Sequence, residues 1–200
     1  GLLSTFGMLG RTSRLKVFAP ECYASLFEQQ MDFFMQGMTY EIEFVPVDTT
    51  QQKVVYEDHS VTVETVPLRH RVPCCGYIFR EKPTLPHIRR DMIDYYGIPL
   101  SQINNIKNGA DWTTPEGDIV PNSRLVEPAD APRSYAYCSD TCYLPDLYER
   151  VKDVTVLYHE STYTSENEDR AKIYYHSTAR QAALVAQKAG AGRLLLGHYS

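Results

Sequence analysis

Residues 174–200 read YYHSTARQAALVAQKAGAGRLLLGHYS and combine a helix pattern with a strand pattern. Thr178 and Gln181 have the spacing of a capping box, in which each side chain satisfies a free backbone N–H of the first helical turn. The alanine-rich run that follows favours a helix, and Gly190 provides its end. The sequence therefore predicts a helix from about Thr178 to Gly190.

A short apolar run follows this helix at residues 193–196. It is too short for a helix, and its composition is typical of a buried parallel strand. His176 thus lies just before a helix and His198 just after a strand. Both are positions where α/β proteins place reactive side chains.

Two earlier predicted strands are also followed by polar side chains, the first by Asp140 and the second by His159 and Glu160. Because the carboxyl ends of parallel strands meet at one edge of a sheet, we expect these residues to lie beside His198. A structural histidine would explain any one of them, but several at one edge indicate a metal site suited to zinc or manganese. The absence of a G-x-S-x-G motif argues against a serine hydrolase.

The first eighty residues predict further strands around one long helix. Apolar residues at helical spacing predict a helix that follows Pro20 and runs to about Gly37. His70 lies in a loop stiffened by Pro67 and Pro73. On position alone, a loop histidine without a function is the simpler interpretation. Strands are predicted at residues 15–18, 40–45, 53–56, 61–66 and 76–79.

The character of the sequence changes between residues 82 and 130, where five prolines occur between Pro83 and Pro121. This pattern is more typical of an inserted arm than of a sheet, and we place the arm at residues 83–109. Basic and aromatic side chains together can bind RNA through phosphate contacts and stacking, although an ordinary solvated excursion would show the same composition. The basic candidates are Lys82, Arg89, Arg90 and Lys107, and the aromatic ones are Tyr95, Tyr96 and Trp112.

The composition predicts one cytoplasmic domain that does not enter a membrane. Two hundred residues with 43% hydrophobic content can form one sizeable core. A net charge of −5 argues against binding nucleic acid through overall charge. Five cysteines, an odd number, favour reduced thiols, although Cys138 and Cys142 could supply a thiolate ligand. Both ends lack the usual polar residues, so we expect the chain to be truncated at both ends.

Five motifs, in order and over nearly the whole chain, resemble those of ribonuclease Z, the tRNA 3′-processing endoribonuclease family of the metallo-β-lactamase fold. They are LRHRVPCCGY with His70, YCSDT with Asp140, LYHEST with His159 and Glu160, YYHSTARQAA with His176, and LLLGHYS with His198. The fold that this resemblance implies is a partial αββα sandwich, a layered α/β arrangement, with an inserted flexible arm. Residues 1–200 would form one such domain.

The resemblance implies a zinc-dependent endoribonuclease that removes the 3′ trailer from precursor tRNA. His70 and His198 would each bind one of two zinc ions per subunit, and Asp140 would bridge both; manganese is the alternative metal. The metals would activate water for attack on the phosphodiester.

The resemblance also assigns the remaining site residues. His176, oriented by Glu160, would stabilise the transition state and help protonate the leaving oxygen. His159 would support the site without binding metal. The arm would grip tRNA, in a homodimer where one subunit's arm serves the other's active site.

Two departures from the family pattern leave other functions open. The family's Gly-Pro arm motif is replaced by Gly97-Ile98-Pro99-Leu100, and its H-x-H-x-D-H metal motif is not in this sequence. One alternative is another hydrolase of this fold that acts on small phosphodiesters or sulfate esters. A second alternative is an inactive RNA-binding fragment.

Overall fold

The structure is a computed structural model, and it describes residues 1–34 and 36–200. The chain divides into two compact units. The first combines Gly1–Arg80 with Ser134–Ser200, and the second is Glu81–Arg133. Among the described residues no helix has the length and apolar character needed to cross a bilayer.

The helices and strands of the described residues are numbered in chain order. The strands are β1 (Leu15–Pro20), β2 (Ile42–Val47), β3 (Val54–Glu57), β4 (Val61–Pro67), β5 (Cys75–Glu81), β6 (His87–Ile88), β7 (Trp112–Thr113), β8 (Ile119–Val120), β9 (Val126–Glu127), β10 (Ser134–Cys138), β11 (Val156–Glu160) and β12 (Arg193–Gly197). The helices are α1 (Leu2–Met8), α2 (Ala24–Phe34), α3 (Arg90–Tyr96), α4 (Leu100–Lys107), α5 (Asn122–Leu125), α6 (Leu147–Arg150), α7 (Glu168–Tyr174) and α8 (Ala179–Ala189).

The first unit is built on a six-stranded sheet with the order β12-β11-β10-β5-β4-β3. Strands β10, β11 and β12 are parallel, as predicted, while β5 pairs with β10 in the antiparallel sense. His159 of β11 pairs with Cys138 on one side and with Leu196 on the other. The carboxyl ends of the three parallel strands therefore reach the same edge of the sheet.

Helices α6 and α8 cover one face of this sheet. Side chains alternate across β10, so Ala136 and Cys138 point into the core whereas the rings of Tyr135 and Tyr137 remain partly exposed. Burial of this apolar surface is the main stabilising term for the unit. The core consists of Val66, Ile78, Ala136, Cys138, Leu147, Val151, Val154, Leu157, Val185, Ala186 and Ala189.

The opposite face of the sheet contacts a second, parallel two-stranded sheet formed by β1 and β2. The hydroxyl of Tyr77 donates to the carbonyl of Phe18 at 2.9 Å, and Phe18 packs edge-on against Tyr56. Helix α2 in turn packs on β2, where the ring centroids of Phe27 and Phe44 are 5.5 Å apart. The first unit thus has four layers in the order helix, sheet, sheet, helix.

The predicted long helix near the start of the chain is shorter in the structure. A 3-10 turn at Glu21–Tyr23 precedes α2, which ends at Phe34. Gly37 adopts a φ of 78°, a conformation that ends rather than continues a helix. Residue 35, inside the predicted helix, lies outside the described residues.

The second unit, Glu81–Arg133, has a small core of its own formed by Ile98, Ile106, Val120 and Leu125. Helices α3 and α4 both lie inside the predicted arm, and α4 was not predicted from the sequence. The unit is larger than the predicted arm at residues 83–109, and the assignment of that arm as a tRNA-binding element stays a prediction.

Helix α8 begins with the predicted capping box. The N–H of Gln181 donates to the Thr178 hydroxyl at 3.2 Å, and the N–H of Thr178 donates to the Gln181 side chain at 2.9 Å. Gly190 ends the helix with a φ of 66°. This helix fixes the segment that carries His176, because its cap lies two residues further along.

We expect Thr178→Ala to lower the free energy of unfolding by about 1–2 kcal/mol, because it leaves a first-turn N–H without its partner. Thr178→Ser keeps the hydroxyl and should lose less than half of that. The measurement is the denaturant midpoint of each variant beside Thr84→Ala, an exposed loop control. Equal midpoints for the alanine and serine variants of Thr178 would show that the cap contributes nothing.

Candidate metal and active site

The predicted site residues meet at the carboxyl edge of β10, β11 and β12. The His176 ring centroid lies 5.0 Å from that of His70 and 5.3 Å from that of His198. A nitrogen of His198, Nε2, lies 3.0 Å from Oδ1 of Asp140. The structure therefore brings these four residues together with Glu160, and the individual roles assigned to them stay predictions.

Glu160 is a buried carboxylate at the end of β11. It accepts hydrogen bonds from the N–H groups of Thr141 and Ser177, from the Thr162 hydroxyl at 2.7 Å, and from the His176 ring. Burial alone would raise the pKa of Glu160, but these hydrogen bonds together hold it below its ordinary value. Glu160 is thus ionised at neutral pH.

The carboxylate of Glu160 sets the orientation and tautomer of His176. Nδ1 of His176 lies 3.0 Å and 3.1 Å from the two oxygens of Glu160. An ionised carboxylate only accepts hydrogen bonds, so Nδ1 carries the hydrogen. Nε2 of His176 is then the atom available for chemistry, and the ring itself is only 15% exposed.

Thr162 sets the tautomer of His198 in the same way. Because the single hydroxyl hydrogen of Thr162 is donated to Glu160, its oxygen accepts from Nδ1 of His198, at 2.8 Å. Nε2 of His198 therefore presents a lone pair toward the Asp140 carboxylate. Two acceptors 3.0 Å apart repel each other unless a proton or a metal cation is shared between them.

The tautomer of the third histidine, His70, is also set by a hydrogen bond from Nδ1, in this case to a backbone carbonyl. Its Nδ1 donates to the carbonyl of Tyr175 at 3.1 Å, which leaves Nε2 as an acceptor. Metal-binding histidines in proteins usually donate their other ring N–H to a carbonyl or carboxylate. All three histidines thus have the tautomer that metal ligation through Nε2 requires.

The donor atoms fit zinc or manganese. His70, Asp140 and His176 form one group whose ligand atoms lie within 4.8 Å of one another, and Glu160, His176 and His198 form another. Glu160 already accepts four hydrogen bonds, so it is the poorest ligand of the set. Two ligands on one zinc ion lie about 3.3 Å apart, as follows from bond lengths of about 2.0–2.1 Å. The His198–Asp140 spacing is close to this value.

The cysteines do not contribute to these groups within the described part of the chain. All five are free thiols, and Cys138 is fully buried, which raises its pKa to about 12. Burial also raises the pKa of Cys142. The possible thiolate ligand at Cys138 or Cys142 is therefore not supported by the structure.

Backbone strain is concentrated at this site. The described non-glycine residues with positive φ are Asp140 (56°), Asp153 (55°), Tyr175 (62°) and His198 (58°). Three of the four belong to the site, either through a side chain or, for Tyr175, through the carbonyl that faces His70. Strained residues persist where the surrounding contacts overdetermine them, and they cluster at functional sites.

The sequence analysis missed the hydroxyl residues that hold the site together. Thr162 links Glu160 to His198, and the hydroxyl of Ser177 donates to the carbonyl of Thr141 at 2.8 Å. A signal for them exists in the motifs, because a serine or threonine follows each site residue within two positions in SDT, HEST and HST.

His159 is buried beside the site. Its Nδ1 donates to the carbonyl of Glu160 at 2.7 Å, while its buried Nε2 has no partner within residues 1–34 and 36–200. Burial lowers the pKa of His159, so the ring is neutral. It belongs to neither metal-capable group, and the supporting role assigned to it stays a prediction.

The predicted RNA-binding residues lie in the second unit. The guanidinium of Arg89 forms an ion pair with Asp91 at 2.7 Å, so its charge is partly neutralised. Lys107 is half-buried and Arg90 is exposed, as is the ring of Tyr95. Acidic residues outnumber basic ones between residues 81 and 133, so RNA contact there would need a local basic patch.

The chain is similar to individual known proteins, although no protein-family model matches it. A Bacteroides fragilis (strain YCH46) protein named Ribonuclease Z is 48% identical over all 200 residues, which cover 66% of its length. The chain therefore spans slightly less than two thirds of that relative.

Two solved structures share the fold. Human tRNase Z, short form, matches with a TM-score of 0.62 at 17% identity, covering 100% of this chain and 66% of that one. The metallo-beta-lactamase fold protein YhfI from Bacillus subtilis matches with a TM-score of 0.56 at 14% identity, covering 98% of this chain and 56% of that one. The predicted αββα arrangement is thereby confirmed as the metallo-β-lactamase fold, and the chain is similar over its whole length to proteins named Ribonuclease Z.

Proposed function

We propose that the protein carrying this chain is a metal-dependent endoribonuclease that removes the 3′ trailer from precursor tRNA. The observation that supports this most is the common arrangement of His70, His176 and His198, each held by a hydrogen bond from Nδ1 that leaves Nε2 free, in His70 and His198 for a metal and in His176 for a proton. The name of the Bacteroides fragilis relative supports the choice of substrate.

In this proposal His70, Asp140 and His198 would hold the metal ions, zinc or manganese. When bound, such ions activate water and offset the charge that develops on a phosphodiester. The protein's own contribution is orientation, because the Tyr175 carbonyl and the Thr162 hydroxyl aim the two imidazoles before metal arrives.

His176 would carry the proton to the leaving oxygen. Its Nδ1–H is bound to the ionised Glu160, which fixes the ring and leaves Nε2 as the atom that would pass the proton. Glu160 keeps its charge because four donors face it. The pair therefore resembles the carboxylate–imidazole arrangement that orients a general acid in other hydrolases.

The proposal also covers how tRNA is bound, the oligomeric state and the location of the protein. The second unit, Glu81–Arg133, would hold the tRNA, and the active form would be a cytoplasmic homodimer. The excess of acidic residues in that unit favours one alternative, a hydrolase of the same fold that acts on small phosphodiesters. The experiments below use the completed chain, meaning the whole protein that carries this chain.

We expect His176→Ala in the completed chain to keep both metal equivalents while kcat falls by about 10²–10⁴-fold, because a positioned general acid is lost. Metal content by atomic emission and single-turnover cleavage are the two measurements. His59→Ala, in an exposed turn, is the matched control. Loss of one metal equivalent in His176→Ala would make this histidine a ligand and remove its proposed role.

Deletion of residues 82–132 should impair the cleavage of precursor tRNA and spare the hydrolysis of small substrates. Arg80 and Ser134 are partners in the β5–β10 ladder, and Glu81 accepts from Arg133, so a short glycine turn can replace the deleted segment. We expect cleavage of precursor tRNA to fall more than about 100-fold, while hydrolysis of bis-p-nitrophenyl phosphate stays within about twofold. A similar loss with both substrates would argue against a tRNA-gripping unit.

A further inference from the structure

A separate cavity of about 540 Å³, lined by both polar and apolar groups, opens beside His176 in the first unit. Its walls include Arg69 and Cys142 from two loops, Asp169 and Lys172 from α7, and Tyr175. The ring of His176 lines the cavity as well as lying among the other histidines. The cavity is therefore adjacent to the metal site without being part of it.

The size of the cavity restricts what it can hold. Pockets for small organic ligands usually measure about 300–1,000 Å³. A cavity of about 540 Å³ is far larger than a phosphate or a water cluster needs, but too small for a stretch of duplex. One nucleoside fits this range.

The lining groups also restrict the chemistry of the ligand. Within the described part of the chain, the side chains of Lys172 and Asp169 are exposed and make no hydrogen bond or ion pair with protein groups. Both charges are present together, so the cavity is unsuited to a simple anion or to an apolar molecule. A nucleobase, which carries donors and acceptors along one edge, would satisfy both.

Tyr175 adds an aromatic wall. The guanidinium carbon of Arg69 lies 5.9 Å from the centroid of its ring, and its backbone carbonyl is the group that fixes His70. Bases stack readily on tyrosine rings and on arginine planes, whatever their sequence. The same residue thus lies at the boundary between the cavity and the metal site.

We propose that this cavity binds the nucleoside adjacent to the reacting phosphate, an inference that rests on the proposed function. The phosphate would lie at the histidine cluster, and the attached nucleoside would enter past His176 to stack on Tyr175. Lys172 and Asp169 would bind the edge of its base. The cavity would thereby set how the RNA chain is threaded at the cleavage point.

The test compares ligands that differ only in the nucleoside. Binding of inorganic phosphate and of the 3′- and 5′-monophosphates of the four nucleosides is measured by calorimetry on the metal-loaded completed chain. We expect at least one series of monophosphates to bind about tenfold tighter than phosphate, the size of effect that one stacked base contributes. The series that binds tighter identifies the side of the scissile bond that the cavity serves.

Tyr175→Gly is the sharpest variant, because glycine accepts the φ of 62° and preserves the carbonyl that contacts His70. It should reduce the advantage of the monophosphates over phosphate to less than about threefold. Lys172→Ala should have a smaller effect in the same direction. Tyr174→Ala and Lys152→Ala, both exposed, are the matched controls.

The outcomes separate the two proposals. Equal affinities for phosphate and all monophosphates, in a protein that still cleaves RNA, would overturn the nucleoside site and leave the proposed function intact. Loss of phosphate affinity in Tyr175→Gly would also overturn it, since the residue would then act through His70. Absence of both phosphate binding and RNA cleavage in the unchanged completed chain would overturn the proposed function and this inference with it.

Discussion

The site depends on the buried charge of Glu160. An unpaired carboxylate in a protein interior costs several kcal/mol, so this one is tolerated only because donors surround it. Two of those donors are backbone N–H groups, from Thr141 after β10 and from Ser177 before α8. The charge thus holds together loops that are far apart in the sequence. A shift of either loop would remove one of the hydrogen-bond donors that the buried carboxylate needs.

This network offers an explanation for the strained residues nearby. Asp140, two residues after β10, and His198, directly after β12, both adopt positive φ, and each turn redirects a side chain from the sheet edge toward the centre of the site. Such conformations cost about 1–3 kcal/mol each unless the surroundings compensate. The hydrogen bond from His198 to Thr162 and the contacts of β11 with β12 hold the His198 turn in place.

What the sequence could predict was local. The capping box at Thr178 and the three parallel strands follow from spacing and apolar pattern, and both are confirmed. The convergence of Asp140 and His198 follows from strand order alone. The role of Thr162 could not be predicted, because it depends on which of several hydroxyls faces a buried oxygen. Helix α4 was not predicted because it has few apolar residues. These residues pack in the small core of the second unit, whose sequence pattern is typical of an arm.

The hydroxyl of Thr162 gives the hydrogen-bonded chain from His198 to Glu160 a direction. While Glu160 is ionised, hydrogens point from the imidazole through the threonine to the carboxylate. A proton on Glu160 would allow every bond in the chain to reverse, and Nδ1 of His198 would become an acceptor. The hydrogen would then move to Nε2, the atom facing Asp140. The readiness of this imidazole to accept a cation is therefore coupled to the ionisation of a carboxyl group that does not face it.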